Sequence, residues 1–217
     1  MTPLVDGSLD PQGPAAEVMA ELWWLLLGLG GAVFAVFAVL LGLALFRRRR
    51  PAEAEPEAPP PGRVGRLLAG WGVAGPLLII LVVFGATLAA MRALPDRAPA
   101  GALEVEIVGH MFWWEVRYPD QGITVRDELH LPVGRPVELR LTSADVIHSF
   151  WVPELGGKLD LLPDHVNTMV LQADEPGEHL SICAEFCGLR HADMRMTVVA
   201  EPADRFDAWV AGRRGGG

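Results

Sequence analysis

Residues 183–194 read CAEFCGLRHADM, and this stretch governs how the rest of the chain is read. It holds both cysteines of a 217-residue protein. Cys183, Cys187, His191 and Met194 bring two thiols, an imidazole and a thioether into one short segment. Soft and borderline donors of this kind select copper over hard cations, which prefer oxygen. One further histidine, His148, stands upstream in SADVIHSFWVPELG. The C-x3-C-x3-H-x2-M spacing differs from the C-x2-C pairs of zinc ribbons and thioredoxin-like sites. It also differs from a mononuclear blue-copper site, with its single cysteine, two histidines and weak axial methionine. Two thiolates can bridge two metal ions, with one histidine terminal on each. The blander alternatives are a Cys183–Cys187 disulfide and a structural zinc site. The first leaves both histidines and Met194 without a role.

Working outward, the residues from about 96 onward predict an all-β domain. Leu103–Val108 and Val137–Leu141 alternate apolar and polar at period two, which half-buried strands require. Thr168–Leu171, His179–Ile182 and Met196–Val199 are further short strands. Turn signals at Pro119-Asp120, Val133-Gly134 and Glu175-Pro176-Gly177 separate them. Seven to nine strands in such a length suggest a Greek-key sandwich or barrel. Asp204–Trp209 reads as a short helix, and GRRGGG at the end as disordered.

Toward the N-terminus, residues 22–46 and 67–91 are two uncharged apolar runs. At about 1.5 Å per helical residue, each crosses a hydrocarbon core of about 30 Å. The second contains Pro76, which membrane helices tolerate. Arg47–Arg50 follow the first run, and Arg63 and Arg66 precede the second. The stretch before the first run carries Asp6, Asp10, Glu17 and Glu21 and no basic residue. The positive-inside rule therefore puts the connection in the cytoplasm and both termini outside. The expected order is an outer N-terminal segment (1–21), a first span (22–46), an Arg- and Pro/Glu-rich linker (47–66), a second span (67–91), an outer β domain (96–203) and a tail (204–217). Without a basic start, the first run reads as a retained anchor; an upstream signal lost from the chain is the alternative.

The formal net charge is −9. All of the excess lies from residue 96 onward, where acids outnumber bases 20 to 11. Such a surface gives no footprint for nucleic acid and steers basic partners instead. Asp120, Asp127, Glu128, Asp145 and Asp164 are candidates for that surface. No C-x-x-C-H occurs, which excludes an attached c-type haem.

The cysteine-histidine stretch resembles the dinuclear CuA signature of the cytochrome c oxidase subunit 2 family, C-x-E-x-C-x3-H-x2-M with an upstream D-V-x-H-S. Asp145, Val146, His148 and Ser149 match the upstream part, and Cys183, Glu185, Cys187, His191 and Met194 the rest. The resemblance implies a cupredoxin-like domain on a two-helix membrane anchor, with the cysteine-histidine loop joining the last two strands and His148 on another loop at the same end. It implies that Cys183 and Cys187 bridge two coppers, that His148 and His191 are terminal ligands, that Met194 is a weak ligand, and that Glu185 binds through its carbonyl. The Glu185 carboxylate would reach a magnesium ion shared with subunit 1. Implied partners are subunit 1 with its haem and CuB, subunit 3, and a basic c-type cytochrome as donor, all at a bacterial inner membrane. Oxygen would be reduced on subunit 1 with proton pumping.

GHMFWWEVRYP, residues 109–119, is similar to the family's G-H-x-W-x-W, where electrons enter through an aromatic over the copper site. Phe112 stands where the first Trp is expected, so Phe112 and Trp113 are both candidates. Strand alternation would put Phe112 and Trp114 on one face and Trp113 on the other. Lys158 and Asp160 fit the family's G-x-K-x-D, and Pro163–Asn167 departs from its P-G-R-x-N. Leu68 stands where relatives carry a glutamate linked to proton uptake, which puts that route in doubt. The small subunit of a CuA-bearing nitric oxide reductase and a membrane-tethered copper-delivery protein are the competing readings. A quinol oxidase subunit is disfavoured because it lacks these ligands.

Overall fold

The structure is a computed structural model that describes residues 9–48, 61–95 and 97–214. Two units emerge: residues 21–92, and a second made of the chain up to Ala20 and from Ala93 onward. Of the predicted linker, 47–66, residues 49–60 lie outside the described residues and residues 61–66 are helical instead; Asp96, where the predicted β domain starts, also lies outside, as do 1–8 and 215–217.

The first unit is helical. Helix α1, Pro14–Arg48, is 35 residues long, or about 50 Å, and its residues up to Ala20 are counted with the second unit. Helix α2, Pro61–Ala69, passes through a π turn, Gly70–Ala74, into α3, Gly75–Ala93. The wide turn sits directly ahead of Pro76, which has no N–H to donate back and would crowd a regular preceding turn. Phe34, Phe37, Leu78 and Phe84 are all exposed, and α1 and α3 are apolar around their whole circumference. Both helical stretches are long and apolar enough to cross a membrane.

The second unit is a β sandwich. Its strands are β1 (Leu103–His110), β2 (Trp113–Tyr118), β3 (Ile123–Arg126), β4 (Glu128–Pro132), β5 (Val137–Ser143), β6 (His148–Trp151), β7 (Leu159–Leu161), β8 (Asn167–Leu171), β9 (Gly177–Cys183) and β10 (Arg195–Glu201). One sheet has the order β3-β2-β1-β5-β8, the other β4-β10-β9-β6-β7. Neighbours are antiparallel except β1 with β5 and β10 with β4. The alternating residues Val105 and Ile107 of β1, and Val137, Leu139 and Leu141 of β5, are buried and meet Leu129, Leu131, Val198 and Phe150 from the facing sheet. The count of ten exceeds the predicted seven to nine because strands as short as the three residues of β7 leave no period to read.

Both ends of this unit are tied down. Gln12 donates its N–H to the Glu154 carbonyl at 2.8 Å and accepts from Asp174 N at 2.9 Å. Gly13 lies so close to Gln172 that a Cβ there would collide with its carbonyl oxygen. At the other end the helix is longer than expected. Helix α4 runs Ala203–Arg214 and takes in Gly212, Arg213 and Arg214 from the tail predicted to be disordered. Trp209 stacks on His130 at 4.1 Å, and both ring nitrogens of His130 face carboxylates at 2.7 Å, those of Glu201 and Glu128. Arg213 donates to Glu128 at 2.8 Å, and Arg214 to the Gln121 carbonyl at 2.7 Å. These bonds fix the last helical turn.

Candidate metal centre

The donors converge at one end of the sandwich. β9 delivers Cys183 as its last residue, the loop to β10 carries Glu185, Cys187, His191 and Met194, and β6 contributes His148 as its first residue. His148 thus belongs to a strand, not to the loop expected from the sequence. The pairing of Phe150 with Cys183 aligns the two strands. Cys183 N donates to the Met194 carbonyl at 3.0 Å, which closes the loop, and Ala184 N donates to Ser149 O at 2.9 Å. His191 N reaches Gly188 O at 3.1 Å, and Gly188 adopts φ +136°, a conformation that favours glycine.

Cys183 Sγ lies 3.9 Å from Cys187 Sγ, 3.9 Å from His148 Nδ1 and 3.2 Å from the Glu185 carbonyl oxygen. Cys187 Sγ lies 3.6 Å from His191 Nδ1 and 3.8 Å from Met194 Sδ. The donor atoms of His148, Cys183 and Cys187 all lie within 4.8 Å of one another. Both cysteines are free and buried, as is Met194. The Glu185 carbonyl faces the cluster while its side chain is exposed. Two sulfurs flanked by two imidazole nitrogens, a thioether and a carbonyl suit copper and leave no hard-cation cage. The residues fit a dinuclear copper group.

Asp145 orients the cluster, a role the sequence did not reveal. Its Oδ1 accepts from His148 Nε2 at 2.8 Å, and its Oδ2 from Met111 N at 2.7 Å. A carboxylate only accepts, so Nε2 carries a proton, and Nδ1 is the ring nitrogen left facing Cys183. Burial alone would raise the Asp145 carboxyl, yet His148 and the N–H groups of Met111 and Val146 bring it below its usual range. Burial pushes His148 down, but Cys183 and Asp145 outweigh it and raise the imidazole. For Cys183, burial is overcome by His148 and by the backbone at Ser149 and Glu185, and the thiol falls to about 6. Burial and the neighbouring Cys183 charge push Cys187 up to about 12. Ionisation of Cys183 thus opposes that of Cys187.

Phe112 lies in the turn between β1 and β2, outside the alternation expected for it, and its ring edge faces Gly188 between Cys187 and His191. Trp113 stacks on His110 at 4.1 Å, under the Arg126 guanidinium at 4.4 Å. Trp114 is buried, 6.1 Å from the His148 ring. Of the acids proposed for a partner surface, Asp127 accepts from Trp114 N, Glu128 from Arg213, and Asp145 from His148. Asp120 and Asp164 are exposed. Asp120 follows the end of β2 remote from Trp113, away from the cluster. Lys158 is exposed, and Asn167 donates to the Asp160 carbonyl at 2.7 Å.

Residues 121–201 match the family described as cytochrome c oxidase subunit II, periplasmic domain. The chain is 30% identical over 209 residues to quinol oxidase subunit 2 of Bacillus cereus, covering 93% of this chain and 71% of that protein. The chain belongs to the cytochrome c oxidase subunit II family. It is also 34% identical over 216 residues to cytochrome c oxidase subunit 2 of Alkalihalophilus pseudofirmus, covering 94% of this chain and 61% of that protein. Against the crystal structure of the periplasmic domain of subunit II of Bradyrhizobium japonicum cytochrome oxidase, the TM-score is 0.53 at 26% identity, covering 55% of this chain and 98% of that one. The second unit therefore has the cupredoxin-like fold of subunit II. The chain spans about three fifths of the length of its Alkalihalophilus relative.

Proposed function

We propose that this chain is the electron-receiving subunit of a haem–copper respiratory oxidase, taking electrons from a basic c-type cytochrome and passing them toward subunit 1 for oxygen reduction coupled to proton pumping. The convergence of His148, Cys183, Cys187, His191, Met194 and the Glu185 carbonyl at one buried point carries this reading. When bound there, a dinuclear copper pair supplies one-electron redox chemistry. Cys183, Cys187, His148, His191, Met194 and the Glu185 carbonyl would hold that pair. Asp145 holds His148 in the tautomer that offers Nδ1. The buried sulfurs and the fixed strand ends exclude water and keep the donors in place, so little reorganisation accompanies a change of charge. The exposed Glu185 carboxylate is the group to meet a magnesium ion at the border with subunit 1, and subunit 3 completes the expected complex.

Phe112 is favoured over Trp113 as the aromatic where electrons enter, because its ring faces Gly188 of the ligand loop whereas Trp113 stacks on His110 with the Arg126 guanidinium over its ring. The Arg-rich connection and the pair Trp23-Trp24 near the other end of the first span support a bacterial inner-membrane protein with its β unit on the outer side. A quinol donor, as the name of the Bacillus cereus relative suggests for that protein, would give the six donors no purpose. The burial of both cysteines disfavours copper delivery, which needs exchangeable ligands.

The test is visible and EPR spectroscopy of the full chain loaded with copper. Two coppers per chain and a multi-line hyperfine pattern from one shared electron are expected, and both vanish in Cys187→Ser and His148→Ala. A single type-2 copper signal or a colourless zinc form refutes the reading. Assays of the assembled complex with cytochrome c or quinol, and oxygen or nitric oxide, then identify donor and acceptor.

A further inference from the structure

Gly109 is the second-last residue of β1, buried, and paired with Trp114 of β2 and Ser143 of β5. Its carbonyl accepts from Ala144 N at 3.0 Å, at the start of the loop that carries Asp145. A Cβ built on it would stand 2.7 Å from His148 Cδ2, 3.1 Å from Cγ and 3.4 Å from Cβ. The first distance is closer than real contacts allow, and it falls on a rigid aromatic ring.

The ring has nowhere to retreat. His148 is fully buried, its Nε2 is bonded to Asp145, its Nδ1 faces Cys183, and its backbone pairs with Leu161 of β7. Gly109 does not adopt a left-handed backbone, unlike Gly101, Gly122, Gly134 and Gly188. An alanine would fit its conformation without strain, and replacing a strand glycine ordinarily stabilises by lowering the entropy of the unfolded chain. Only the missing volume explains the residue.

We propose that Gly109 is a positioning residue for the metal centre: the bare backbone at this point is the floor on which the His148 ring lies, and it sets how near Nδ1 comes to Cys183. The inference rests on the copper reading for its consequence, but the seat itself is tested without metal. In the metal-free full chain, Gly109→Ala is expected to lower the melting temperature by about 5–15 °C, the range for overpacking a filled site. In a His148→Gly background the ring is gone, and the same substitution is expected to cost at most a few degrees. If Gly109→Ala alone does not fold, the double variant is expected to recover the fold. Equal shifts in both backgrounds, or a double variant that remains unfolded, overturn the proposal.

Copper supplies the second readout. Gly109→Ala is expected to bind copper roughly tenfold or more weakly, as when the support of a ligand is disturbed, with an altered hyperfine pattern and a shifted reduction potential. A spectrum and potential identical to those of the unsubstituted chain also overturn it. Should the unsubstituted chain give no two-copper spectrum, the copper reading fails, while the metal-free cycle still decides whether Gly109 seats the ring.

Discussion

Replacing Asp145 with alanine probes how the centre holds its most deeply buried ligand. The carboxylate accepts from Met111 N at 2.7 Å, from Val146 N at 2.6 Å and from His148 Nε2 at 2.8 Å. Met111 and Val146 are exposed, so water can take over their N–H groups. His148 is 0% exposed, and its Nε2–H would be left buried without a partner. Such a loss costs about 1–3 kcal/mol. A metal pulling on Nδ1 must then also hold the ring orientation that Asp145 supplied. Loss of a partner of this kind weakens binding about 10–100-fold, or about 1.4–2.7 kcal/mol, the same scale reached from the hydrogen bond. Asp145→Asn keeps an acceptor for Nε2 but must turn its amide against one backbone N–H, so its loss should fall between the two. A copper competition titration of the full chain against a chelator measures all three proteins. Affinities for Asp145→Ala within about twofold of the unsubstituted chain, or equal losses in Ala and Asn, would refute the orienting role.

Copper uptake should strengthen with rising pH. Binding requires both thiols ionised; Cys183 falls to about 6, but Cys187 is pushed up to about 12 and keeps its proton at neutrality. Loading therefore releases that proton, together with the proton of the raised His148 imidazole where it is still held, so apparent affinity rises at least about tenfold per pH unit and more steeply toward acid pH, where His148 and then Cys183 must also ionise; a pH-independent titration would contradict this. Phe112→Ala should slow cytochrome c oxidation by about tenfold or more at unchanged copper spectrum, and Trp113→Ala by less, as steady-state kinetics of the complex would register. Trp209→Ala removes the stack on His130 at 4.1 Å and the contact with Tyr118 at 5.2 Å; urea unfolding should show a loss of about 2–4 kcal/mol, discounted for the partial exposure of Trp209. Gly13→Ala drives a Cβ into the Gln172 carbonyl, and limited proteolysis should find the segment around Gln12 released from the β unit.

The candidate donors stood out in the sequence because four of the side chains fall within 12 consecutive residues, and the fold brings them together with His148. The strands of alternating pattern, β1 and β5, were legible for the same reason: their period lies along the chain, and both put their apolar residues inside. What the sequence did not reveal depends on contacts between distant positions or on geometry inside a turn. Phe112 was assigned a strand face, but the turn between β1 and β2 breaks the alternation just before Trp113. His130 and Trp209 meet across most of the β unit, and nothing near either residue announces the stack that orders the tail. A count of charges treated Asp127, Glu128 and Asp145 alike as partner-facing, although each is held by a bond within the chain.

Asp145 and Gly109 show why the support of a metal site is harder to read than its ligands. A ligand must be one of a few residue types, so its chemistry marks it. A supporting residue is defined by where it stands. Asp145 is one of 27 acids, distinguished only because a non-helical loop brings it back three residues to His148 Nε2. Gly109 is one of 24 glycines, and its function is a volume that is not there, recognisable only once the His148 ring is seen lying 2.7 Å from where a side chain would begin. Both act on the same imidazole, one by a directed bond and one by space, and from opposite sides of the requirement: Asp145 fixes the rotation that aims Nδ1, Gly109 the depth to which the ring can sink. Substituting either should therefore change the copper spectrum while leaving all six donors in the chain, whereas a substitution that only loosened the fold would lower stability and leave the spectrum of the surviving centre intact.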